Sequence, residues 1–178
     1  STDEIANPKS FLATQLVDAN GEQLGTFFEE NRVHTEYDQL PPHLVQALVA
    51  TEDERFYDHA GIDFRSLGRA LASFGTQGGG STLTQQLAKQ MFHQPASSKA
   101  GRLLQKFKEW IIALQLESRY TKDEIIALYF NQFDFLYQAV GVHSASRIYF
   151  GKNPQQLTVP EAAVLVGMVK NPSIYNPV

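Results

Sequence analysis

Residues 97–120, "SSKAGRLLQKFKEWIIALQLESRY", decide the fold class. Leu103, Phe107, Trp110, Ile111 and Leu114 recur at the spacing of one helical face, so the stretch reads as a long amphipathic helix with those side chains turned inward. Helical signals continue on both sides. Upstream, Pro41-Pro42 stands where a helix can begin, with Leu44 and Leu48 at helical spacing behind it, and Thr82 with Gln85 makes a capping box. Downstream, Thr121 with Glu124 and Thr158 with Glu161 mark two more helix starts, and "QAVGVHSASRIYFG" (138–151) reads as a helix ending at Gly151. Only "FLATQLVDANGEQLGTFF" (11–28) departs from this pattern. Its Asn20-Gly21 lies between two short apolar-bearing runs, a hairpin signal. The expectation is a mainly α fold with a small N-terminal β-hairpin.

A length of 178 residues suits one domain with a substantial core, and 43% hydrophobic with 19% charged residues is the composition of a folded chain. With no cysteine, disulfides and thiolate metal sites are excluded. The longest apolar run, near Ala162 to Val169, is far too short to cross a bilayer. Charge is distributed unevenly. Residues 1–63 carry 13 acidic and 3 basic side chains, whereas residues 64–178 carry 6 acidic and 12 basic. A basic part facing an acidic one suits an anionic ligand handled beside carboxylates, and internal salt bridging would account for it too.

Four features could carry chemistry. "TEDERFYDHAGID" (51–63) crowds Glu52, Asp53, Glu54, Asp58 and Asp63 around Phe56 and Tyr57. Read as one continuous helix stopped by Gly61, it sets Glu52 on the face of Arg55, Phe56 and His59. Aromatic surroundings can desolvate a carboxylate into a general base, while a solvated acidic helix end is the plainer reading. Asp63 can cap the next helix, whose face would carry Phe64, Leu67, Leu71 and Phe74. In "GGGSTLTQQLAK" (78–89) glycines lead into a helix N-terminus, a natural phosphate site, followed by Gln85, Gln86 and Lys89. It lacks the Gly-Lys-Ser/Thr of a Walker loop. Arg102, Lys106 and Glu109 share a stripe opposite Leu103 and Trp110, fit either for a pyrophosphate or for an ordinary charge ladder. Lys170 closes an apolar helix before Asn171-Pro172, where the helix dipole favours a cation whatever its use.

Taken together and in order, "TEDERFYDHAGID", "GGSTLTQQLAKQ", "QKFKE", "TKDEIIALYFN" and "VGMVKNPSIYNP" resemble the five motif regions of the peptidoglycan glycosyltransferases, glycosyltransferase family 51, from about Arg32 to the last residue. The resemblance implies a lysozyme-like domain of two lobes, a larger head and a smaller apolar jaw that touches the membrane. It implies polymerisation of lipid II into β-1,4 glycan with inversion and release of undecaprenyl pyrophosphate. Glu52 would be the base, and Glu109 would assist the leaving pyrophosphate directly or through a divalent cation (Mg or Mn) shared with it. Ser81, Thr82, Gln85, Gln86, Lys89, Arg102, Lys106, Asn131 and Lys170 fall at substrate-side positions, and His59 is assigned to structure behind Glu52. No organic cofactor and no nucleic acid are implied.

The same resemblance divides the chain into an N-terminal hairpin and lead-in (1–35) and the glycosyltransferase domain (36–178). That domain would be truncated at its C-terminal end and cut from a protein anchored in the bacterial inner membrane, with its catalytic part on the periplasmic or outer face. Its partners would be lipid II, the growing glycan, the membrane surface and, in the full-length protein, a fused transpeptidase domain. Two departures from the family pattern stand out: Gln105-Lys106 where Arg-Lys is usual, and the bulky Leu136-Tyr137 in a stretch that usually bears glycine. A glycan-cleaving enzyme of related fold and a non-catalytic lipid II-binding scaffold are the competing readings. The basic residues at 89, 106 and 170 argue against cleavage of a neutral glycan.

Overall fold

The computed structural model describes residues 14–17, 23–27, 33–72, 80–92 and 98–177. The chain is mainly helical. Among the described residues, eight α-helices follow two short strands: β1 (Thr14–Val17), β2 (Gln23–Phe27), α1 (Pro42–Glu52), α2 (Phe64–Ala72), α3 (Leu83–Phe92), α4 (Lys99–Arg119), α5 (Lys122–Gln132), α6 (Gly141–Phe150), α7 (Val159–Lys170) and α8 (Pro172–Tyr175). The strands pair antiparallel with Thr14 opposite Phe27. The Asn20-Gly21 turn lies outside the described residues, as do Phe74, Gly78 and Gly79.

The capping residues set helix boundaries as their chemistry requires. Proline at N1 opens α1. The Thr121 and Glu124 side chains each bond the other's backbone N–H at the start of α5, and Thr158 and Glu161 do the same at α7. Gly151, left-handed at φ 68°, ends α6. Helix α1 packs on α7, and α3 packs on both α4 and α5. Their shared core contains Leu44, Leu48, Phe56, Leu87, Leu116, Tyr129, Phe130 and Leu165.

Helix α4 forms over its expected span but with the opposite face inward. Leu103, Phe107, Ile111 and Leu114 are 47–62% exposed, only Trp110 of the five expected inward side chains is half-buried, and Phe64 on α2 is also exposed. The buried side of α4 carries Glu109, Ala113 and Leu116. The reason is tertiary. Glu117 on that side accepts the Thr84 hydroxyl (2.6 Å) and the Lys122 ammonium (2.8 Å), and Lys122 also donates to the His59 carbonyl (2.6 Å). Lys122 lies 4.3 Å from the centre of the Phe56 ring. These charge-assisted bonds, each stronger than a neutral one, fix the rotation of α4.

The bulky stretch at 136–138 folds as three successive left-handed residues, Leu136 (φ 67°), Tyr137 (φ 48°) and Gln138 (φ 64°). Such residues cost about 1–2 kcal/mol each, so the surroundings must hold them there. Tyr149 Oη donates to the Phe135 carbonyl at 2.5 Å, and the Leu136 N–H donates to Asp134 Oδ1 at 2.8 Å.

Candidate active site

Helix α1 ends at Glu52, and this corrects the expectation of one helix running on through His59. Asp53 leaves helical geometry (φ −157°, ψ 73°), and a short 3-10 turn at Phe56–Asp58 follows. Glu52 therefore does not share a helix face with Arg55, Phe56 and His59. The competing partner is distant in sequence. The Asp53 carboxylate accepts the first N–H of α3, from Leu83, at 2.9 Å, and lies 3.0 Å from His59 Nε2. A tertiary cap here outcompetes another turn of local helix. It places the C-terminus of α1 beside the N-terminus of α3, and both ends open into one cleft.

Two further contacts secure the junction. The Thr82 hydroxyl donates to the Gly61 carbonyl at 2.6 Å. Gly61 has φ 85°, and a Cβ there would stand 3.0 Å from the Ala113 carbonyl oxygen of α4, so only glycine lets this loop lie against that helix. At the loop's end Asp63 caps α2 through the N–H groups of Arg65 (3.0 Å) and Ser66 (3.2 Å) and pairs with the Arg55 guanidinium. Burial pushes the Asp63 carboxyl up, but the bonds from Ser66 and Arg55 outweigh it and hold the group well below the usual carboxylate range.

The cleft has a volume of about 1190 Å³. Glu52 from α1, Ser81 and Lys89 beside and on α3, Lys106 and Glu109 from α4, and Lys170 from the end of α7 all line it. Two carboxylates separated by 57 positions and three ammonium groups thus share one concavity. Lys106 Nζ donates to Glu109 Oε2 at 2.8 Å and to Ser81 Oγ at 3.1 Å. Glu109 is 8% exposed, so its charge is balanced by that lysine and not by bulk water. Glu52 receives a hydrogen bond from Gln86 Nε2 at 3.0 Å.

The remaining residues singled out by sequence divide in two. Thr82 and Gln85 border the cleft but are buried and engaged in the capping box of α3, at 3.2 Å and 3.4 Å. Arg102 and Asn131 are not among the residues lining the cleft. Arg102 is exposed near the start of α4, and Asn131 clamps the chain around Thr35, accepting its N–H (2.9 Å) and donating to its carbonyl (2.8 Å). Asn131 also donates to Ala127 O at 2.8 Å, so its amide is committed to backbone. Sequence reading missed Arg65 and Arg69, which α2 presents to the same cleft. Their four-residue spacing in the basic part of the chain was the available signal.

The family model described as Transglycosylase matches residues 20–178. The chain belongs to the transglycosylase family. Among its relatives, penicillin-binding protein 1A of Escherichia coli (strain K12) is 43% identical over 93% of this chain and 20% of its own length. Penicillin-binding protein 1F of Bacillus subtilis (strain 168) is 41% identical over 93% of this chain and 23% of its own. Penicillin-binding protein 1A of Neisseria flavescens is 38% identical over the whole chain and 22% of its own length. This transglycosylase domain thus spans about a fifth of the length of those relatives. Among its described residues, no helix is long and apolar enough to cross a membrane, and no three His, Asp or Glu side chains gather as a metal site.

Proposed function

We propose that this domain is a peptidoglycan glycosyltransferase that joins lipid II units into β-1,4 glycan, inverting the donor's anomeric carbon and releasing undecaprenyl pyrophosphate. The observation that carries the proposal is the shared cleft, with Glu52, Glu109, Lys89, Lys106 and Lys170 on its walls. In this reading Glu52 takes the proton of the acceptor's C4 hydroxyl as that oxygen attacks the donor's C1. The C1–O bond to pyrophosphate breaks on the other side. Negative charge then grows on the leaving phosphate, and fixed cations stabilise it without a strong proton donor. Lys106, held between Ser81 and Glu109, is pre-oriented for that task, and Lys89 and Lys170 supply further positive charge. Holding both sugars in one cleft replaces an encounter in solution with an oriented attack.

A divalent cation enters this reading only with phosphate oxygens and water as most of its ligands, Glu109 being the protein group suited to join them. Such an ion would add charge to the leaving group, and no step above depends on it. The outward face of α4, bearing Leu103, Phe107, Ile111 and Leu114, suits contact with the lipid surface where an undecaprenyl-linked substrate resides. The reading extends to the two-lobed, lysozyme-like arrangement of head and jaw. Residues 1–35 would be a lead-in whose strands form a hairpin closed at Asn20-Gly21, and residues 36–178 the catalytic domain of a longer protein. That protein would sit at the outer face of the inner membrane and carry a transpeptidase domain. Incubation with labelled lipid II tests the proposal. Lengthening glycan and released undecaprenyl pyrophosphate are expected, whereas shortening of preformed glycan or an unchanged substrate overturns it.

A further inference from the structure

Behind Glu52 lies a run of side chains that the reaction scheme above does not use. Gln86 Nε2 donates to Glu52 Oε2 at 3.0 Å, and the same amide's Oε1 accepts the Tyr129 hydroxyl at 2.9 Å. Tyr129 is on α5, its side chain wholly buried in the core, far from solvent that could offer its hydroxyl another partner. Gln90, one turn after Gln86 on α3, sits beside the phenol and favours its charged form, against the effect of burial.

The bonds run in one direction, from the Tyr129 hydroxyl to Gln86 Oε1 and from Gln86 Nε2 to Glu52. With that oxygen occupied, Gln86 can offer only its NH₂ to Glu52. An isolated glutamine beside a carboxylate can swing away or turn its oxygen towards it, and the second orientation repels the charged form. Burial and the nearby Glu52 charge both push the Tyr129 phenol well above its ordinary value, so it remains a donor throughout the working pH range.

We propose that Tyr129 is a positioning residue for Glu52, acting through Gln86, whose amide it locks in the orientation that donates to the carboxylate. Polarised bonds in series reinforce one another, so the effect reaches Glu52 although Tyr129 touches no substrate. The proposal rests on Glu52 being the base, as proposed above. The other charged groups of the cleft are bound elsewhere or sit on other elements. Lys106 pairs with Glu109, Asp53 lies against His59, and Arg55 pairs with Asp63. Glu54, Arg65 and Arg69 lie on the near loop and α2, with Lys89 on α3 and Lys170 on α7. Removing one phenolic oxygen changes none of these charges.

The test is Tyr129→Phe, which keeps the ring and removes the hydroxyl. With lipid II as substrate, kcat falls about five- to tenfold at neutral pH while KM stays within about twofold, as expected for one lost hydrogen bond acting on a base. The acid limb of the kcat profile moves upward, because a carboxylate with a weaker donor is harder to ionise. In a Gln86→Leu background Tyr129→Phe adds nothing further, since the route to Glu52 is already cut. Gln86→Leu, which removes the donor to Glu52 itself, gives a shift in the same direction and serves if Tyr129→Phe folds poorly. A parent-like acid limb in both variants, or an undiminished Tyr129→Phe effect in the Gln86→Leu background, overturns the proposal. NMR titration of Glu52 in carboxyl-labelled protein reads the same shift without turnover. A parent that leaves lipid II unchanged would sink the functional reading, and this titration would still decide the role of Tyr129.

Discussion

The two long faces of α4 have exchanged the roles their composition suggests. The face with Leu103, Phe107, Ile111 and Leu114 is open, and the face with Lys106, Glu109 and Glu117 is turned to the cleft and the interior. Burying an unpaired charge costs several kcal/mol, and burying an apolar side chain gains about 1.5–3 kcal/mol, so neither choice looks favourable in isolation. It becomes favourable because each inward charge has a partner. Lys106 meets Glu109, and Glu117 meets Thr84 and Lys122. The helix thus turns its charges into the cleft and the interior and leaves its apolar stripe open. An amphipathic pattern identifies two faces. What each face meets is decided by the rest of the molecule.

The largest expected effect comes from breaking the inner face at the cleft. Glu109→Gln keeps the shape and removes the charge that holds Lys106. Glycan polymerisation should fall by about 10²–10³, the loss typical when one preorganised electrostatic group is removed. The melting temperature should change little, because Lys106 can still reach Ser81. A variant with parental turnover would show that the inward charges of α4 serve folding alone.

Next in size is Gly61→Ala, which presses on the same face. The new Cβ would meet the Ala113 carbonyl at 3.0 Å and Glu117 Cγ at 3.1 Å, at a φ of 85° that side chains avoid. A loss of about 1–3 kcal/mol is expected by chemical denaturation. Because Gly61 also receives the Thr82 hydroxyl, turnover should fall together with stability. An unchanged denaturation midpoint would mean the loop does not depend on close approach to α4.

These contrasts also mark how far the sequence could be read. Helix starts at Thr121 and Thr158, the cap at Asp63 and the stop at Gly151 follow from bonds within four residues, so local spacing carries them. The long motifs in order picked out Glu52, Glu109, Lys89, Lys106 and Lys170, and these five do meet in one cleft. The break at Asp53 was hidden because its partner, Leu83, lies 30 positions away. The rotation of α4 was hidden for a similar reason: it depends on Thr84 and Lys122, which no helical-face pattern for residues 97–120 includes. The bond that commits the Asn131 amide to Thr35, 96 positions earlier, was likewise beyond any local pattern.

A smaller effect should follow from Thr84→Val, which nearly preserves volume and removes one of the two donors to Glu117. Stability should fall by about 1 kcal/mol, measured by urea unfolding at neutral pH. Lys122 still holds Glu117 at 2.8 Å, so the helix should keep its rotation and the activity should stay close to parental. A collapse of the fold would mean the hydroxyl contributes far more than a single hydrogen bond.

The outer face should give the smallest change in stability. Phe107 and Ile111 are 50% and 57% exposed, and the double variant Phe107→Ser, Ile111→Ser removes apolar surface that is already largely open to solvent. Exposed positions of this kind usually shift stability by no more than about 0.5 kcal/mol each. If this stripe meets lipid, the same variant should bind phospholipid vesicles less well in a sedimentation assay, because each buried methylene contributes about 0.8 kcal/mol to partitioning. Detergent-solubilised substrate should still be turned over at near-parental rates, since the cleft is untouched. Large destabilisation without any change in vesicle binding would reverse the comparison and make the outer stripe part of the core after all.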